Sequence, residues 1–328
     1  MIGLLLSLVA VPVAFSGCAG LEVKASTAGN WTTFAIDNQP PGSVSTTVTQ
    51  DDQGTIWVGT LDGLIRFDGN SWGRYTDAMQ GLYILCAARD EQGNLWFGTW
   101  GQGVFEYTGT EWRNFTPDNT GGGLPGAGIK DILVDNQGNL WIPTTGNLGQ
   151  RTAPIDYGVT RYDGTNWTSL LDGTDVETVF QDSDGNMWFG TNVGVIRYDG
   201  SDWQTFTKED GLADNYVVAI CQDNQGNIWF GTWSSGVSRY DGENWRTFTP
   251  SDGMASDAMH CMLMDSRGDL WFGSYSSHGI SQFNVIEWQN FDPWQAKSNL
   301  YSVSSIFEDN EGNLWFTTSF GPVRYNPD

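Results

Sequence analysis

Two histidines, His260 and His278, are the side chains best suited to moving protons near neutral pH, and Cys86, Cys221 and Cys261 are the thiols beyond Cys18. None sits in a spacing that organises a reaction. The chain has no G-x-S-x-G nucleophile elbow, no H-E-x-x-H zinc helix and no Walker phosphate loop. Asp182-Ser183-Asp184-Gly185-Asn186 begins like a calcium loop, but the third acidic ligand and the bidentate Glu are missing. No catalytic residue, metal site or cofactor is therefore expected. The residues that stand out are aromatic. Of 17 tryptophans, 14 fall into two periodic series, and Trp100, Trp233 and Trp294 do not. Tyr275 and His278 occupy a segment equivalent to that of Trp233, and a long insertion from Gly146 to Tyr157 carries Arg151, Asp156 and Tyr157. Exposed rings with a few polar groups recognise by stacking, which suits a small polar ligand such as a carbohydrate, or a protein partner. The alternative is that the rings merely cap the elements beneath them.

Those elements follow from the repeat. The pattern D-x-x-G-x-x-W begins at Asp51, Asp90, Asp135, Asp182, Asp223, Asp265 and Asp309, and its tryptophans lie 39 to 47 residues apart. That period is the length of a propeller blade. Within the fifth unit, four short stretches alternate as strands do, here called A to D: Val217 to Ile220, Ile228 to Thr232, Gly236 to Tyr240 and Trp245 to Phe248. Asp223 to Gly226 and Asp241-Gly242 supply the turns between A and B and between C and D. A second series, W-x-x-aromatic or W-x-x-Leu, marks strand D at Trp31, Trp72, Trp112, Trp167, Trp203, Trp245 and Trp288. Its first member precedes the first D-x-x-G turn and the last unit has none, so the count closes only if Trp31 to Phe34 completes the last blade. The sequence thus predicts an all-β, seven-bladed β-propeller of four antiparallel strands per blade over residues 30–328.

In that fold, B-to-C loops and D-to-A connections emerge on one face. The candidate ligand-binding residues Trp100, Arg151, Tyr157, Trp233, Tyr275, His278 and Trp294 then share the face around the axial funnel. Cys86, Cys221 and Cys261 fall on A strands as small hydrophobes, with a Cys221–Cys261 bridge between adjacent blades as an alternative. Arg66, Arg161, Arg197, Arg239 and Arg324 recur on strand C, where a guanidinium bridging neighbouring blades through aspartates is the expected role.

The run Asp-Asn-Gln-Gly-Asn-Ile-Trp-Phe-Gly-Thr at 223 to 232, followed by Gly-Val-Ser-Arg-Tyr at 236 to 240, resembles the two-component regulator propeller repeat. The resemblance implies an extracytoplasmic sensor module that recognises a ligand, although this chain shows one propeller and no kinase motif. Other seven-bladed propellers, such as streptogramin lyases, use channel histidines with a metal. An enzyme of that kind would rest on His260, whose near-axis neighbours by register are Lys130, Asp131 and Glu177. A channel-lining or core histidine is the reading preferred over a metal-dependent lyase.

With 15 Lys+Arg against 39 Asp+Glu, the chain carries a formal charge of −24 and repels phosphate backbones, so no nucleic-acid partner is expected. Residues 2–15 are almost wholly apolar but short for a bilayer span, and read as a signal-peptide core. The Ser16-Gly17-Cys18 that follows resembles the bacterial lipoprotein box, which implies a signal peptide over 1–17 and a lipidated Cys18 holding the protein to the membrane. Residues 18–29 read as a flexible tether reaching roughly 20 Å. The expected partners are thus a small polar ligand or carbohydrate, or an envelope protein, met outside the cytoplasm by a membrane-anchored lipoprotein.

Overall fold

The computed structural model describes residues 23–28, 30–36, 44–75, 79–145, 157–275, 279–293 and 302–327. Seven antiparallel sheets form the blades of a propeller, six of them contiguous in sequence. The seventh takes strands A to C from the C-terminal end, Val303–Glu308, Leu314–Thr318 and Gly321–Tyr325, and strand D from the N-terminal β2, Trp31–Ile36. β2 pairs with strand C through Trp31↔Tyr325, Thr32↔Arg324 and Thr33↔Val323, which closes the ring as the strand count requires. One expectation changes. β1, Val23–Ala28, pairs along the whole of β2 as a fifth, outermost strand, so half of the segment read as a tether belongs to the sheet.

The repeat motif has one physical cause in every blade. The turn aspartate accepts the indole N–H of the strand-B tryptophan six residues on, at 2.7 to 2.9 Å, from Asp51–Trp57 through Asp309–Trp315. Its other carboxylate oxygen caps backbone N–H groups of the same turn. A buried indole needs such a partner, and only a short acidic side chain at a tight turn reaches it. The second tryptophan series stacks on the strand-C aromatic of its own blade, with ring centroids 4.2 to 4.9 Å apart in all seven.

The core lies between blades. Strand-B tryptophans pack on the strand-B phenylalanine of the next blade, as in Trp188–Phe230, Trp229–Phe272 and Trp271–Phe316. The strand-B glycine permits this approach: a Cβ at Gly190 would stand 2.9 Å from the Val217 carbonyl oxygen of the following blade. Arg161, Arg197, Arg239 and Arg324 do not bridge neighbouring blades through aspartates as expected. Arg66, Arg161, Arg197 and Arg324 lie over the strand-B tryptophan of their own blade, 5.7 to 6.0 Å from the ring centroid. Bonds from blade to blade come instead from the end of strand A: the side-chain oxygens of Gln181, Gln222, Glu308 and Gln50 accept turn N–H groups of the preceding blade. Arg89 pairs in the same place with Asp52.

Candidate functional site

Strand A of six blades carries a β-bulge at the same place, leaving Thr46, Leu85, Glu177, Val218, His260 and Ser304 without a ladder partner. In blade 3 the strand breaks altogether between Gly128–Ile129 and Leu133–Val134, and Lys130 and Asp131 fall in the break. A bulge re-aims the side chain it frees. Here all of these residues line one axial cavity of about 890 Å³.

A second ring stands above the first. In six blades the hydroxyl that ends strand B donates to the glycine carbonyl opening strand C and, in five of these, it accepts a loop N–H, as Thr99 and Thr232 do. This holds the loop and leaves the next residue free to vary: Leu61, Trp100, Trp233 and Tyr275 are four such residues, and all face the cavity. Trp100, Trp233 and Tyr275 are 47%, 37% and 48% exposed although they border a cavity. Trp233 stacks on Tyr216 at 5.6 Å and 16°, and meets Tyr275 at 4.5 Å. Tyr275 in turn stands edge-on to His260 at 5.5 Å.

Polar groups connect to this arc from below. The Lys130 ammonium reaches Asp175 at 2.7 Å and Glu177 at 2.6 Å. Glu177 also accepts the Tyr216 hydroxyl at 3.1 Å, and burial with the nearby Glu177 charge pushes that phenol up to about 12. Asp131 accepts the Thr178 hydroxyl and the Val179 and Ile132 N–H groups, yet its burial leaves its carboxyl above the ordinary range. His260 Nδ1 lies 3.1 Å from the Val303 carbonyl oxygen and therefore carries the proton, while burial holds the ring below the usual histidine range.

Of the residues singled out in the sequence, the structure brings Trp100, Trp233 and Tyr275 to the cavity, together with Lys130, Asp131, Glu177 and His260. Tyr157 is exposed, with its carbonyl accepting Gly173 N–H, and does not line the cavity. Arg151, Asp156, His278, Trp294 and Cys18 lie outside the described residues. Cys86, Cys221 and Cys261 are free thiols, so Cys221 and Cys261 are not bridged. The turn at Asp182 is committed to Asn186 and Trp188. Among the described residues no group of three His, Cys, Asp or Glu side chains is placed to hold a metal ion. Tyr216, in a D-to-A connection, escaped the sequence reading because it breaks no repeat position.

Fold and site define a seven-bladed propeller with an aromatic-rimmed axial funnel. The chain carries six two-component regulator propeller repeats: residues 38–62, 79–101, 170–193, 211–234, 253–276 and 298–320 match that repeat. Blade 3 gives no match, and its strand B reads W-I-P where four of the six matched blades read W-F-G. No curated protein matches the chain. Among solved structures it is similar to the extracellular domain of the putative hybrid two-component system BT3049 from B. thetaiotaomicron, at 18% identity and a TM-score of 0.57, covering 94% of this chain. The chain spans only 55% of that domain. Virginiamycin B lyase from Staphylococcus aureus is similar over 89% of this chain and 96% of the lyase, at 16% identity and a TM-score of 0.65. YCF48 bound to a D1 peptide is similar over 92% and 98%, at 13% identity and a TM-score of 0.66. At these identities the likeness is one of fold.

Proposed function

We propose that the protein is an extracytoplasmic recognition module of the sensor type, anchored through Cys18, which takes a small polar ligand in the axial funnel and performs no chemistry on it. One observation carries this reading: Trp100, Trp233 and Tyr275 stay exposed at the mouth of a cavity of about 890 Å³ whose floor holds Lys130, Asp131, Glu177 and His260. Concave, mostly apolar walls with a few convergent polar groups are what ligand sites share. The likeness to extracellular domains of two-component systems supports the address and the sensing role. The same exposed rings would serve an envelope protein as a docking face, burying about 800 Å² per partner.

A thermal-shift screen of glycans and small polar metabolites against the full chain, beside a pull-down from envelope extract, tests the reading. A ligand-induced shift that disappears in Trp100→Ala plus Trp233→Ala supports the funnel. A stoichiometric protein partner lost in the same variant, with no small-molecule shift, replaces the ligand by a protein. Turnover of a bound compound that His260→Ala abolishes would make it an enzyme. Fatty-acid labelling that persists in Cys18→Ser would remove the anchor.

A further inference from the structure

Resting on the funnel as the ligand site, we infer that its ligand is an organic ammonium ion, held by the Glu177 carboxylate and the aromatic faces of Tyr216, Trp233 and Tyr275. The wall's hydrogen-bonding groups are unevenly committed. Several of its donors already serve the protein: the Thr46 hydroxyl gives to the Ile84 carbonyl, Thr178 to Asp131, and Tyr216 to Glu177. Two carboxylates, Asp175 and Glu177, share one ammonium, that of Lys130, while Asp131 on the cavity wall accepts only neutral donors.

His260 adds a second, independent sign. With its proton on Nδ1 toward Val303, Nε2 keeps a lone pair, and no partner for it exists among the described residues. The half-buried ring lines the cavity, so an acceptor without a partner among the described residues borders the funnel.

The aromatic arc has the same preference. Ring faces carry negative quadrupole potential and attract ammonium groups, more strongly where water is excluded. Tyr216, Trp233 and Tyr275 form a continuous series, and the Tyr216 hydroxyl joins it to Glu177. A net charge of −24 on the whole chain, focused into a low-dielectric cleft, draws cations and repels carboxylates. A sugar would stack as well, but brings hydroxyls that ask for donors as often as acceptors. An ammonium group brings only donors and charge.

The sign of one substitution separates the readings. Lys130 occupies the carboxylates an ammonium ligand would use, so Lys130→Met should tighten an ammonium and weaken an anion. The full chain would be titrated calorimetrically with phenethylammonium, with its neutral isostere 2-phenylethanol and with 3-phenylpropionate. The expected result is binding of the ammonium at least about tenfold tighter than the alcohol, no binding of the carboxylate, tightening in Lys130→Met, and about tenfold weakening in Glu177→Gln. Thermal melting of each variant confirms folding, and if Lys130→Met fails to fold, the isostere series and Glu177→Gln decide alone. Equal binding of ammonium and alcohol, or weakening in Lys130→Met, overturns the inference. A saccharide bound through Trp100 and Trp233 while the ammonium is ignored overturns it too, but leaves the funnel reading standing. Loss of neither ligand in Trp100→Ala plus Trp233→Ala overturns both.

Discussion

Asp309 shows how much one repeated side chain carries. Its carboxylate accepts the Glu311 and Asn313 backbone N–H groups, the Asn313 amide and the Trp315 indole, all within 3.1 Å. Trp315 is buried beside Phe34 and Trp72, so the indole N–H has no water to turn to when the aspartate is removed. Each buried donor left without a partner costs about 1–3 kcal/mol. Asp309→Ala should therefore destabilise by about 3 kcal/mol, read as a lowered melting temperature. Asp309→Asn should lie between the two, because its Oδ1 still caps the turn but its Nδ2 presents a donor to a donor. A melting curve for Asp309→Asn below that of Asp309→Ala would contradict this assignment of roles.

At the scale of the element, the strand-B glycine decides how closely blades approach, and the neighbours it meets are not equivalent. A Cβ at Gly190 meets the Val217 carbonyl at 2.9 Å, backbone that cannot yield without moving a strand. At Gly231 the nearest atom is the Met262 sulfur at 2.7 Å, the far end of a flexible side chain. Gly190→Ala should cost about 2–3 kcal/mol and Gly231→Ala about 1 kcal/mol, within the range for overpacking a core. Denaturant unfolding of the two variants checks the order, and a larger loss for Gly231→Ala would show that the Met262 side chain is held rigid. The same comparison explains what the sequence could and could not convey. The turn aspartates, the strand-B tryptophans and the blade count were legible because each repeats the same local bond seven times. Of the inner ring, the residue five before each turn aspartate, only Lys130, Glu177 and His260 were legible as near-axis by register, while Thr46, Leu85, Val218 and Ser304 were not. The bulge that turns it toward the axis belongs to strand pairing, which no local pattern encodes. Tyr216 could not be found, since only the packing of Trp233 against it gives that connection residue a place in the site. The strand-C arginines misled because equivalence shows that a role is structural without showing which partner serves it.

Across the whole molecule, the ring stands or falls on one junction between the two ends of the chain. Between blades 7 and 1, the Asn310 N–H donates to Gln50 at 2.8 Å, the bond also seen between blades 3 and 4 and blades 4 and 5. The Ser45 hydroxyl donates to the Thr318 carbonyl at 2.8 Å and accepts the Thr318 N–H at 2.9 Å. β2 then sets Phe34, 5% exposed, against Trp315, Phe67 and Trp72, and Trp31 against Tyr325, Phe291 and Phe316. Three truncations dissect this seam. Removing residues 1–22 leaves every described strand in place and should not change the melting temperature of the propeller. Removing 1–29 takes away β1 and bares the outer edge of β2, a small loss of stability with an increased tendency to pair edge to edge. Removing 1–36 also deletes Trp31 and Phe34, two aromatic contacts of a kind that costs about 3–5 kcal/mol each when truncated to alanine. Their sum rivals the roughly 5–15 kcal/mol that holds a domain folded, so this last chain should melt far below the other two or fail to fold. If chains lacking 1–29 and 1–36 melted together in calorimetry, the ring would not depend on its N-terminal strand. The funnel would then be framed by six complete blades and a three-stranded seventh that needs no closing partner.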